Sequence, residues 1–137
     1  MTVPYLACMA LVASIYQLPP RVLPSIQAIE GGRPGSIGTN SNGTEDLGVM
    51  QVNTLWLPAL ARYTGLSEAD VRQRLIHHAC FNIAAAGAIL RTYLDAVDGD
   101  LMQAVGNYHS HTPARHVAYR RKVLGAARRL FESPAAR

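Results

Sequence analysis

Three stretches of the sequence hold side chains able to do chemistry. Glu30 closes an apolar run and is followed at once by Gly31-Gly32. A carboxyl against an apolar helix end is poorly solvated, which disfavours its charged form. Such a group can keep its proton near neutral pH and give it to a leaving oxygen. Two glycines after it would leave room for a bulky substrate. On position alone, a surface glutamate before a helix C-cap is the plainer reading. The second stretch, Asn40 to Asn53, reads NSNGTEDLGVMQVN. Its Asn42, Asp46, Gln51 and Asn53 are the amides and carboxylate that sugar hydroxyl and N-acetyl groups need, although an ordinary loop full of polar caps has the same composition. The third, Ala104 to His111, reads AVGNYHSH. A tyrosine such as Tyr108 can orient a carboxyl. His109-Ser110-His111 invites a nucleophile-and-base reading, but neighbours one apart on a helix diverge.

Metal chemistry finds little support. Cys8 and Cys80 lie far apart, and His77 and His78 stand near Cys80 without CxxC or other ligand spacing. No metal and no cofactor are expected. The two cysteines are either one disulfide of an oxidising compartment or two buried thiols.

Helices must position these groups. Leu6, Met9, Ala10, Ala13 and Tyr16 recur at helical spacing, which predicts a buried first helix stopped by Pro19-Pro20. A second helix is predicted from Pro20 to Glu30, ended by the glycine pair. Residues 33–48 are rich in Gly, Ser, Thr and Asn. Asn42-Gly43 signals a tight turn, so a long ordered loop or a small hairpin is expected. The alternation of Val49, Gln51 and Asn53 with Met50 and Val52 suits a short extended stretch. Further helices are predicted over Asn53–Tyr63, from a cap at Ser67 onward, over Ala79–Val97, Leu101–Tyr108 and Pro113–Phe131, with a frayed tail from Glu132.

The chain has 137 residues, 49% of them apolar and 16% charged, which fits one globular, mainly α domain over residues 1–137. Its net charge of +4 favours an anionic partner without choosing among nucleic acid, anionic lipid and peptidoglycan. No nucleic-acid motif accompanies the arginines of the last helix, which read as a solvated face. Val3 to Leu18 is apolar but lacks a basic n-region and is shorter than a span of about 20 residues. No stable membrane span and no evident signal peptide are read in the chain.

Taken together and in order, the three blocks resemble the lysozyme-like lytic transglycosylases, in particular the small ones that accompany secretion, pilus and conjugation machines. Ile29-Glu30-Gly31-Gly32 matches that family's catalytic Glu-Ser-Gly block. Gly48-Val49-Met50-Gln51-Val52-Asn53 matches its Gly-Leu-Met-Gln-Ile-Asn block. Ala104 to Ser110 stands where the family has its Ala-Tyr-Asn-containing block, which puts the active-site tyrosine at Tyr108. Asn82-Ile83 after Cys80 and Trp56 after the Gln-Val-Asn run also fit, and the likeness spans roughly Cys8 to Val123. It departs at Gly31, where the family has serine, and at His109, where it has asparagine. The Asn-Gly-Thr-x-Asp-x-Gly run around Asp46 also resembles animal-type lysozymes, in which the aspartate is the second catalytic carboxylate.

The resemblance implies a mainly α, lysozyme-like (goose-type or SLT) single domain with a Gly/Asn-rich loop or small hairpin. It implies Glu30 as catalytic acid and base, and Met50, Gln51, Asn53, Tyr108 and His109 toward the glycan, with Asp46 and Asn42 as secondary contacts. It further implies a Cys8–Cys80 disulfide, a periplasmic location, peptidoglycan strands as substrate and an envelope machine as partner. Muramidase hydrolysis through Glu30 and Asp46, or an inactive glycan-binding assembly factor, are the alternatives.

Overall fold

The computed structural model describes residues 3–109 and 113–132. Among them the fold is mainly α, with seven α-helices and a small antiparallel sheet, as a lysozyme-like domain requires. The helices are α1 (Leu6–Tyr16), α2 (Val22–Glu30), α3 (Leu57–Thr64), α4 (Glu68–His77), α5 (Ala79–Ala96), α6 (Leu101–His109) and α7 (Pro113–Phe131). The strands are β1 (Ile37–Thr39), β2 (Glu45–Leu47) and β3 (Val52–Asn53), in that spatial order. The chain divides into two compact units, Met1–Ile29 with Gly87–Arg137, and Glu30–Ala86.

In the first unit, α1 ends earlier than its prolines suggest. Gln17 adopts a left-handed conformation (φ 53°), and its N–H reaches back to Ala13 and Ser14. Arg91 of α5 donates to the carbonyls of Tyr16 and Gln17, neutralising the open C-terminal end. α1 packs where α5 has Gly87: a β-carbon there would run into Val12 and come within 3.2 Å of Tyr16. The expectation of a buried first helix needs correction. Met9, Val12 and Ala13 are buried, whereas Leu11 and Ile15 are 61% and 62% exposed. Apolar residues surround α1, so periodicity alone could not select the covered face.

α6 and α7 are fastened together at two points. Gly106 leaves the space that the buried His116 ring fills, with Nε2 3.2 Å from the Gln103 carbonyl oxygen. One turn on, His109 stacks on Tyr119 with ring centroids 4.5 Å apart.

In the second unit, the Gly/Asn-rich segment is a hairpin with a third strand rather than a loop. Gly38 pairs with Asp46, and Asp46 with Asn53. Leu47, Val49, Met50, Leu75 and Ile83 are fully buried and form its core. Each contributes about 1.5–3 kcal/mol by burial. Of the extended stretch read through Val49 to Asn53 only Val52–Asn53 is strand, because Gly48–Gln51 is a turn that buries Val49 and Met50 together. The helix expected from Asn53 starts as a 3-10 turn, Thr54–Trp56, before α3. Pro58 has no N–H and sits in the first turn of α3, which it can start but not interrupt. Asn53 caps the 3-10 turn, accepting from the Leu55 N–H at 2.9 Å. Ser67 caps α4 as expected, accepting from Asp70. Neither cysteine is free; Cys8 and Cys80 are both disulfide-bonded.

Candidate active site

Glu30 is the last residue of α2 and is half-buried. The chain turns immediately after it, because Gly31 is left-handed (φ 67°). Nothing would lie within 4 Å of a β-carbon at Gly31, so this side is open. Gly32 is different and corrects the expectation that both glycines leave space. A β-carbon there would overlap the Gly48 carbonyl oxygen and sit 2.8 Å from that of Val49. The first and second sequence blocks therefore meet backbone against backbone at Gly32 and Gly48.

The second block is held by a buried asparagine. Asn82, 0% exposed, accepts from the Met50 N–H at 2.7 Å and donates to the Leu47 and Leu75 carbonyls at 2.7 and 2.9 Å. Every polar atom of its amide is used, as burial demands. Gly48 is left-handed (φ 69°) and abuts the Leu75 carbonyl and the Asn82 amide, which no side chain would permit. Gln51 is itself left-handed (φ 54°), which is uncommon for a residue with a side chain. Its amide donates to Gly48 O at 2.9 Å and Ser36 Oγ at 3.3 Å, holding that conformation in place.

Beyond the turn, five polar side chains knit together. Asp46 accepts from Asn53 through Oδ1 at 3.0 Å and from Asn40 through Oδ2 at 3.2 Å. Asn53 also donates to Thr44 Oγ1 at 3.1 Å, as does Asn40. Asn42 is drawn into the hairpin turn, where its Oδ1 accepts from the Thr44 hydroxyl at 2.7 Å and N–H at 3.0 Å. Asn42, Asp46 and Asn53 thus belong to one network on the sheet. Asn40 and Thr44 complete it, and sequence reading missed their part. Asx-turn chemistry around Asn42-Gly43 was the available signal.

Tyr108 and His109 lie at the C-terminal end of α6, half-buried and exposed respectively. His109 stacks on Tyr119 as described. Ser110 and His111, needed for the nucleophile-and-base reading, lie outside the described residues. Among those that are described, no group of three His, Cys, Asp or Glu side chains could hold a metal ion, and no helix is long and apolar enough to cross a membrane.

No protein-family model matches the chain. Individual relatives do. It is 29% identical over 101 residues to invasion protein IagB of Salmonella typhimurium, covering 74% of this chain. It spans only 58% of the length of IagB. To protein IpgF of Shigella flexneri it is 32% identical over 98 residues, which is 71% of this chain and 60% of that protein. To protein IpgF of Shigella sonnei it is 31% identical over 114 residues, 80% of this chain and 71% of that protein. At that identity and coverage, the chain belongs to the same family as protein IpgF.

Proposed function

We propose that the chain acts as one lysozyme-like domain and is a peptidoglycan lytic transglycosylase. It cleaves the β-1,4 bond between MurNAc and GlcNAc and leaves a 1,6-anhydro-MurNAc end. Glu30 first gives its proton to the glycosidic oxygen as the C1–O bond breaks. The N-acetyl oxygen of the substrate stabilises C1 during this step. The O6 hydroxyl then bonds to C1 and returns a proton to Glu30, so no water is consumed. Met50, Gln51, Asn53, Tyr108 and His109 contact sugar, with Asn42 and Asp46 at the edge.

The observation that carries this reading is the seat of Gly32 on the Gly48 carbonyl. It sets the Glu30 turn against the Gly48–Gln51 turn, as the shared order of blocks in lytic transglycosylases leads one to expect. The engagement of both Asp46 oxygens by amides supports a loop-holding carboxylate over an attacking one. A periplasmic enzyme opening the wall for an envelope machine suits the invasion-protein name of the Salmonella relative.

The test is digestion of purified sacculi, with mass spectrometry of the soluble products. Wild type should release anhydro-muropeptides. Glu30→Gln should lower the rate by about 10²–10⁴-fold while its thermal melt is unchanged. Products heavier by one water would establish a muramidase instead, and binding to sacculi without any product would establish an inactive assembly factor.

A further inference from the structure

The first unit carries a surface that the proposed reaction does not use. A hollow of about 280 Å³ opens between the start of α2 and helices α6 and α7, walled by Pro20, Val22, Met102, Val105, Val123 and Leu124. A second, of about 310 Å³, is lined by Met102, Val117, Arg120, Arg121 and Leu124. They share Met102 and Leu124 and so form one groove. Val117 and Leu124 are 41% and 42% exposed along it. Isolated exposed apolar residues are ordinary, but apolar residues lining a continuous concavity are not.

Along α7 the charge is one-sided. α7 holds Arg115, Arg120, Arg121, Lys122, Arg128 and Arg129 and no acidic residue, so it carries six of the chain's 13 basic side chains. Arg21, at the far end, is occupied by Glu132 at 3.5 Å and by the Phe131 ring. No carboxylate among the described residues pairs with Arg120 or Arg121. A groove with an apolar floor and an uncompensated positive rim is complementary to an apolar segment flanked by carboxylates.

Shape selects the kind of occupant. A membrane-surface element projects its apolar side chains outward into lipid, whereas here they line a recess. A glycan with short acidic stems would meet the arginines but leave the recess wet. Each hollow sits near the small end of ligand-pocket volumes, about 300 Å³, which suits one or two buried side chains. Val117 and Leu124 are seven residues apart on α7, hence about 10 Å along its axis. Both wall the second hollow, which therefore runs about two turns along α7, room for the apolar face of a helix lying alongside.

We propose that the α2–α6–α7 groove is a docking site for an acidic amphipathic helix of another protein. Apolar side chains of that helix fill the two hollows, and its carboxylates meet Arg120 and Arg121. The groove lies outside the residues assigned to glycan cleavage, so binding is measured independently of activity.

The probe is a fluorescein-labelled helical peptide with leucines at i, i+4 and i+7 flanked by glutamates. It is titrated with the full chain and followed by anisotropy. Matched peptides carry lysines for the glutamates or alanines for the leucines. The acidic, leucine-bearing peptide should bind at least about tenfold tighter than either. Leu124→Asp should abolish its binding, and Arg120→Glu with Arg121→Glu should reverse the charge preference, all with thermal melts like wild type. Methyl NMR should confine the perturbation to Met102, Val105, Val117, Val123 and Leu124. Absence of saturable binding, equal affinity for the three peptides, or tighter binding to phosphatidylglycerol vesicles than to the acidic peptide would each overturn the proposal.

Discussion

Asp46 and Asn53 face each other across the β2–β3 ladder, and the Asn53 amide donates to Asp46 Oδ1 at 3.0 Å. With Asn40 on Oδ2, the carboxylate is committed to the sheet before any substrate arrives. Asp46→Asn keeps the shape and removes the charge. It should leave anhydro-muropeptides as the product and slow their release by less than about tenfold, well under the 10²–10⁴-fold attached to a lost acid or base. Product analysis on sacculi checks this, and a loss as large as that of Glu30→Gln would make Asp46 a partner in the chemistry.

Gly31 and Gly32 should respond to substitution for different reasons. Gly31→Ser meets open space but must adopt φ 67°, at a cost of about 1–2 kcal/mol. Gly32→Ala must push back the Gly48 and Val49 carbonyls, costing about 1–3 kcal/mol or more and displacing the Glu30 turn. Thermal melts with parallel sacculus digestion distinguish them: Gly31→Ser should lose stability with most activity kept, and Gly32→Ala should lose both.

Asn82 is the polar centre of the second unit. Asn82→Ala strands the Met50 N–H and the Leu47 and Leu75 carbonyls in an apolar interior. At about 1–3 kcal/mol for each of these unsatisfied buried groups, the expected loss is at least about 3 kcal/mol. Hydrogen exchange at Met50 should accelerate sharply. An unaltered exchange rate there would show that the turn holds without its asparagine.

Burial raises the Tyr93 phenol above the usual tyrosine value. Below about pH 10 the folded and unfolded chains both keep this proton, and stability does not depend on it. As pH rises further, the unfolded chain ionises first, so this contribution to stability is lost on passing through the folded-state value. Tyr93→Phe should therefore flatten the alkaline fall in stability, seen by denaturant melts on either side of pH 10.

Much of the architecture was legible because it rests on local rules. Ser67 with Glu68 and Asp70 marked the start of α4, and Pro113–Phe131 was read to its ends, since caps and periodicity act within a few residues. The hairpin was half legible. Asn42-Gly43 announced the turn, and the alternation through Val49 to Asn53 pointed to the third strand without bounding it, since two residues carry too little pattern. The 3-10 start of α3 was missed because Pro58 acts on backbone donors rather than on periodicity.

For the site, the sequence by itself supplied the candidates for chemistry: a glutamate before a glycine pair, a polar block with Asp46, Gln51 and Asn53, and a tyrosine on a late helix. These follow from residue type and order. Only the tertiary structure decided why Gly32 must be glycine, what Asp46 bonds to, and that Asn82 holds the Met50 turn from 32 residues away. The face of α1 that is covered and the groove beside α7 were likewise decided there. Close backbone approach and burial are properties of distant segments meeting in space, and neither leaves a periodic mark in the chain.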